Sequence, residues 1–259
     1  MNIVIVIPAR YASSRYPGKP LVELRGADGI SKPLIQRTWE TALEVPGVAE
    51  VFVATDDVRI SDRVESFGGK VIMTSENCAN GTERCAEALR ELDHAPDLIV
   101  NLQGDAPLTP PWFLTDLIEA LRGRQDFAVA TPVLRCDQET YSHFRADRAE
   151  GRVGGTTAVF ARDGQALYFS KEVIPYLPDD KKAAQMPVFH HVGVYAYRPQ
   201  ALARYAGWAE GDLEVNEGLE QLRFLENGEK VLCVEVDAKG RLFWELNNPV
   251  DVARIEKVL

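Results

Sequence analysis

Arg10, Arg15 and Lys19 stand close together in the stretch Pro8 to Pro20, with Gly18 among them and no acidic residue before Glu23. Cations without a counter-charge, in a glycine-containing loop whose amides are exposed, can converge on one polyanion. One such cation would read as a solvated basic loop; the cluster, at the end of a first strand, reads as a phosphate grip. The spacing is neither that of a Walker loop nor that of a dinucleotide-binding fingerprint.

Asp105 closes a second apolar stretch in Gln103-Gly104-Asp105. A lone carboxylate there suits Mg²⁺, which keeps several waters and takes substrate phosphate oxygens, and it also suits a turn or cap ahead of Pro111. Gln103 points to the same side and could hydrogen-bond a base edge or a sugar hydroxyl. Asn80-Gly81-Thr82-Glu83-Arg84 reads as a capped helix start whose amides could meet a ligand. His190-His191 precede an apolar strand with no third ligand at helical spacing, so the pattern makes them structural rather than metal-binding. Glu217, Glu220 and Gln221 fall at helical spacing among Leu213, Leu219 and Leu222, and by pattern alone are a solvated face.

These residues need elements to hold them. Asn2 to Ile7 is apolar and β-branched, the pattern of a buried parallel strand. Strand patterns recur at 51–54, 70–73, 97–102 and 127–134, separated by helical patterns at 33–43, 58–67, 82–92 and 111–121. That alternation predicts an α/β fold with a mostly parallel, doubly wound sheet whose ligands sit beyond the strand C-termini, where both Lys19 and Asp105 lie. Periodicity weakens from about 135 to 190. That region is expected to be a small antiparallel insertion into a single domain over 1–259, with short strands at 156–160 and 165–169, serving substrate contact or subunit pairing. A strand at 192–197, helices at 199–205 and 212–226, a strand at 231–236 and a closing helix behind an Asn248 cap and Pro249 complete the pattern.

The chain has 259 residues and a net charge of −10, against which the cationic first loop stands out. A general nucleic-acid or anionic-membrane surface is not expected, and a small anionic ligand is. Four cysteines are scattered without a C-x-x-C pair, which argues against structural zinc and for reduced thiols. With no signal-peptide pattern and no apolar run of membrane-spanning length, the expected location is the cytoplasm.

The ordered stretches Pro8-Ala9-Arg10-Tyr11-Ala12-Ser13-Ser14-Arg15-Tyr16-Pro17-Gly18-Lys19-Pro20-Leu21, Val53-Ala54-Thr55-Asp56, Gly81-Thr82-Glu83-Arg84, Asn101-Leu102-Gln103-Gly104-Asp105, Ala166-Leu167-Tyr168-Phe169-Ser170, His191-Val192-Gly193-Val194-Tyr195 and Leu219-Glu220-Gln221-Leu222-Arg223 resemble the 3-deoxy-manno-octulosonate cytidylyltransferase (CMP-KDO synthetase) family. The resemblance implies a nucleotide-diphospho-sugar transferase-like fold and a cytoplasmic, Mg²⁺-dependent homodimer. It implies coupling of CTP to an eight-carbon ulosonic acid with release of pyrophosphate, for lipopolysaccharide or capsule assembly. It assigns phosphate binding to Arg10, Arg15 and Lys19, cytidine contacts to Pro8, Ala9, Gly81, Thr82, Arg84 and Gln103, and a metal ligand to Asp105. Sugar-acid contacts fall on His191, Tyr195, Glu220 and Gln221.

The chain departs from the family at three positions. Asn247 stands where the family has a second metal-binding Asp, Thr157 where it has a Lys, and His190 where it has an Arg. An amide oxygen still coordinates Mg²⁺ but removes one negative charge, which Glu245 or Asp251 would have to restore. The lost cations leave open an amino-KDO or a nonulosonate as acceptor, and Asn247 leaves open a nucleotide-binding homologue without catalysis.

Overall fold

A computed structural model describes residues 1–12, 16–153, 155–178, 185–241, 243–246 and 248–259. The first strand, β1 (Ile3–Ala9), is buried along its whole length. Its side chains alternate between two cores, Ile3, Ile5, Ile7 and Ala9 into one and Val4 and Val6 into the other. This is why the run is continuously apolar rather than alternating. The chain continues through β2 (Glu23–Arg25), β3 (Ser31–Pro33), α1 (Leu34–Leu43), β4 (Glu50–Thr55), α2 (Val58–Ser66), β5 (Lys70–Met73), α3 (Gly81–Arg90), β6 (Leu98–Leu102), α4 (Pro111–Gly123) and β7 (Val129–Arg135). It then forms α5 (Gln138–Ala149), β8 (Thr157–Phe160), β9 (Ala166–Ser170), β10 (Phe189–His191), β11 (Val194–Tyr197), α6 (Pro199–Tyr205), α7 (Asp212–Glu217), α8 (Leu222–Glu226), β12 (Val231–Glu235) and α9 (Val252–Glu256).

One ten-stranded sheet dominates, in the order β5-β4-β1-β6-β11-β7-β10-β8-β9, with β12 on the other side of β7. Strands β5, β4, β1, β6, β7, β12 and β8 run one way, and β11, β10 and β9 run against them. The α/β fold with a mostly parallel sheet is therefore present, and the strands of the 135–190 region extend that sheet from β7 outward. Because β1 pairs in parallel with both β4 and β6, the loops after all three strands emerge at one edge. The cationic loop after β1 and the Gln103 to Asp105 turn are brought together there by topology alone.

Several elements differ from the sequence pattern. The segment 212–226 is not one helix: Gly218, in a left-handed conformation at φ 60°, ends α7, and α8 begins only at Leu222. Glu220 and Gln221 thus lie in the turn between two helices, which corrects their reading as a solvated helix face. The strand expected over 192–197 starts at Val194, and Val194 N–H closes a tight turn onto the Val192 carbonyl at 2.7 Å. The charged run 145–152 contains the end of α5, whose start is capped by Asp137 accepting from Thr140 N–H at 2.7 Å. Only Tyr141 and Phe144 of that helix are buried, too few to print a period. At the C-terminus, the expected Asn248 cap is present as a reciprocal capping box with Asp251.

Candidate functional site

The loop after β1 closes on itself before it reaches the site. Gly18 N–H donates to the Tyr11 carbonyl at 2.9 Å, and Gly18 sits at φ 71°, where a side chain would be strained and a Cβ would press on the Tyr11 ring at 3.1 Å. This turn delivers Lys19 at the head of a short 3-10 helix, Lys19–Leu21. Its Nζ donates to Asp105 Oδ2 at 2.6 Å across the strand ends. The expected partners thus meet, in a cleft of roughly 220 Å³ that Pro8, Ala9, Arg10, Gly81, Arg84 and Gln103 also line. Arg10 is exposed at its mouth. Arg15 and Asn247 lie outside the described residues.

Close backbone approach explains two glycines of the cleft. A Cβ on Gly104 would stand 2.8 Å from the Pro8 carbonyl oxygen, and one on Gly81 would stand 2.8 Å from Gln103 Nε2 and 3.3 Å from Pro8 Cγ. Gly81 opens a helix, so Ala there suits the backbone while pushing the flexible Gln103 amide aside. Gly81→Ala is expected to keep or raise the melting temperature and to raise the KM for the nucleotide about tenfold, a loss the size of one hydrogen bond; steady-state kinetics beside a thermal melt checks it.

Arg84 is a wall residue whose charge is already engaged. Only 2% exposed, it donates to Asp56 Oδ2 at 3.0 Å, Thr74 Oγ1 at 2.5 Å and the Ser75 carbonyl at 3.3 Å. It ties α3 to the loops after β4 and β5, and Asp56 and Thr74 enter the site's framework through it; a buried arginine needing a carboxylate partner was the signal for Asp56. Thr82 is fully buried and does not line the cleft. Its amide donates to Glu220 Oε2 at 2.9 Å, and its hydroxyl meets Tyr197 OH at 2.8 Å.

Glu220 joins the cleft to a second group of residues, also accepting from Gln103 Nε2 at 3.4 Å. Burial pushes its carboxyl above the usual carboxylate range, and the Thr82 amide pulls the other way. Behind it lie Tyr195, Gln221 and His191, all buried. Tyr195 OH donates to Gln221 Oε1 at 3.1 Å, which turns the Gln221 amide toward His191 Nδ1 at 3.5 Å. Thr131 Oγ1 lies 2.8 Å from the Val194 carbonyl and 2.9 Å from His191 Nε2. A hydroxyl has one proton, so donation to Val194 makes the oxygen an acceptor for Nε2–H and leaves Nδ1 as the ring's lone-pair nitrogen. Burial holds this imidazole neutral, its pKa lowered to about 3.

Two of the three positions that depart from the resembled pattern, His190 and Thr157, lie among the described residues. His190 packs against Phe144 at 5.2 Å and Phe243 at 6.3 Å between ring centres, and burial lowers it to about 4, so it carries no charge near neutrality. Thr157 is fully buried, and its hydroxyl donates to the Glu172 carbonyl at 2.6 Å. Asp251 accepts from Asn248 N–H at 2.7 Å and Trp244 Nε1 at 3.1 Å, so its carboxylate serves the C-terminal cap. Leu246 N–H donates to the Asp105 carbonyl at 2.8 Å, which brings the 243–246 segment beside the Asp105 turn. Glu245 Oε1 would lie 3.7 Å from a Cβ on Gly193. Among the described residues no cluster of three or more His, Cys, Asp or Glu side chains could hold a metal ion.

A family model described as cytidylyltransferase matches residues 4–231. The chain belongs to the cytidylyltransferase family. It is 42% identical to 3-deoxy-manno-octulosonate cytidylyltransferase of Maricaulis maris, over all of this chain and 97% of that protein. It is 41% identical to 8-amino-3,8-dideoxy-manno-octulosonate cytidylyltransferase of Shewanella pealeana, over 97% of this chain and 96% of that one. A solved structure of CMP:2-keto-3-deoxy-manno-octonic acid synthetase complexed with CTP superposes with a TM-score of 0.86 at 36% identity, covering 99% of this chain and 98% of that chain. This cytidylyltransferase is accordingly a nucleotidyltransferase enzyme, and its cleft, its Glu220-Gln221 turn and all of β1 but Ile3 fall within the matched residues.

Proposed function

We propose that this enzyme couples CTP to a 3-deoxy-ulosonic acid of the KDO type, forming the CMP-sugar and pyrophosphate. The observation that carries the reading is the Lys19–Asp105 pair at 2.6 Å at the common exit of β1 and β6, in a cleft walled by loop backbone. The anomeric hydroxyl of the acid attacks the α-phosphorus of CTP; the new O–P bond forms as the bond to the pyrophosphate oxygen breaks. Such a reaction asks for alignment and charge neutralisation more than for a nucleophilic side chain. Arg10, Arg15 and Lys19 take the phosphates, while Pro8, Ala9, Gly81 and Gln103 frame the cytidine. The acceptor is placed on the Glu220-Gln221 turn, with Tyr195 and His191 holding Gln221 from behind.

Mg²⁺ belongs to this reading. Asp105 keeps Oδ1 without a hydrogen bond from any described residue, and its side chain is 26% exposed in the cleft. One half-solvated carboxylate suits an ion that retains waters and takes phosphate oxygens, with Asn247 as the second protein oxygen. When bound, the ion would neutralise charge on the triphosphate. The enzyme works in the cytoplasm as a homodimer in this reading, and the exposed apolar side chains Leu167 and Tyr176 favour the 135–190 region as the pairing surface. Among the described residues no helix is long and apolar enough to cross a membrane.

The deciding measurement is pyrophosphate release from CTP and Mg²⁺ with KDO, beside 8-amino-KDO and a nonulosonate. Release with KDO or its amino analogue is the expected result. Release with the nonulosonate alone would move the acceptor class, and silence with all three would overturn the reading.

A further inference from the structure

The cytidylyltransferase motif residues explain the cleft but leave Arg223 without a task, although it is one of the largest fully buried side chains and 2% exposed. Its Nε and Nη2 grip both oxygens of the buried Glu214 at 2.5 and 2.8 Å, and Nη1 reaches Glu83 Oε1 at 2.9 Å. Its guanidinium also stacks on the Tyr205 ring at 4.3 Å. Glu214 is on α7, Arg223 on α8 and Glu83 on the first turn of α3, so one cation ties both sides of the acceptor turn to the nucleotide loop. The tie is reinforced from Asn80. Its Oδ1 caps α3 by accepting from Glu83 N–H at 2.8 Å, while its Nδ2 reaches Tyr205 OH at 3.1 Å and Glu214 Oε1 at 3.4 Å. Tyr205 OH in turn donates to the Glu220 carbonyl at 3.2 Å.

A buried pair adds little net stability over apolar packing of the same shape, but it specifies one geometry, because either partner left alone is a desolvated charge. The geometry specified here sets Glu220 against the Thr82 amide, the point where the acceptor turn touches the nucleotide helix. Resting on the function proposed above, we infer that Arg223 is a positioning residue that couples the acceptor turn to the nucleotide loop, so that filling one site pre-forms the other. The coupling is reciprocal: CTP tightens the acid by the same factor as the acid tightens CTP.

Glu83→Gln tests this without emptying the buried pair. Glu83 Oε2 accepts from Ala79 N–H at 2.7 Å while Oε1 holds Arg223; a glutamine satisfies one donor and sets its own amide against the other. The Asn80 cap and the Arg223–Glu214 grip remain. Arg223→Lys is the second variant, which keeps the charge but not the fork. The dissociation constant of an α,β-methylene-bridged CTP analogue is measured with and without KDO by calorimetry, beside a thermal melt. Wild-type protein is expected to bind the analogue about tenfold tighter with KDO present, within the usual range of coupling, and each variant is expected to lose most of that ratio. A wild-type ratio of one, or a ratio that survives in both folded variants, overturns the coupling. Pyrophosphate release with KDO is run in parallel: if no ulosonic acid supports it, the functional reading fails and takes this proposal with it, whereas release with an intact ratio in the variants defeats the coupling alone.

Discussion

Replacing Lys19 by Ala is expected to lower turnover by about a thousandfold, the scale seen when one preorganised charge is removed from a developing anion. Lys19 is the described cation that the fold delivers by name: the Gly18 turn and the 3-10 helix aim it, and Asp105 receives it at 2.6 Å. The side chains of the pair are 14% and 26% exposed, and the open cleft lets water reach the carboxylate once the ammonium is gone. Loss of the pair should therefore cost at most about 1 kcal/mol of stability. Melting temperature and circular dichroism are expected to stay near those of the parent while pyrophosphate release collapses. Lys19→Arg should recover little, because a planar fork does not replace a compact ammonium between a carboxylate and a phosphate. Near-normal turnover in folded Lys19→Ala would falsify the phosphate-grip assignment.

The parts of this arrangement that a sequence displays are those with a strong local period or a sharp local chemistry. β1 is continuously apolar because both of its faces are buried, and the loop after it is cationic because nothing acidic interrupts it; strand and loop were both legible. Parallel pairing of β1 with β4 and β6 then follows from the alternation of strand and helix. The Glu220-Gln221 turn was not legible from pattern, since Glu217, Glu220 and Gln221 keep three- and four-residue spacing across a break made by Gly218. Gly218 stands there at φ 60°, a left-handed conformation that glycine takes without strain, and the leucine and acid spacing does not display it. Arg84 shows another limit: its motif suggests a ligand contact and it does line the cleft, but its pairing with Asp56, a residue distant in sequence, lies in no local window. The β2–β3 hairpin, two strands of three residues each, is too short to print a period at all.

His191 sets the second large expectation, an acid-side loss of stability. In the folded protein its pKa is lowered to about 3, first by burial and then by the neighbouring His190, from an ordinary 6.5. Between those values the unfolded chain holds a proton that the native protein refuses, so stability is fully present above pH 6.5 and falls as the pH drops. The slope is about 1.4 kcal/mol per pH unit for one such group. From pH 6.5 to pH 5, a window above most carboxylate titrations, His191 alone should remove about 2 kcal/mol, a sizeable part of a domain's usual 5–15 kcal/mol. His190, lowered to about 4 by burial, adds in the same direction. Urea unfolding at pH 7 and pH 5 measures the sum, and His191→Gln, which cannot titrate, should erase its share of the difference while leaving that of His190. An unchanged difference in the variant would mean that the imidazole takes its proton without unfolding the protein. The same geometry extends to the reaction, because a proton on Nδ1 would face the Gln221 amide 3.5 Å away and turn an acceptor into a second donor. The folded ring refuses that proton until about pH 3, so the KM for the acid should show no His191 step between pH 7 and pH 5, and pH-dependent loss of activity in that window should track unfolding instead.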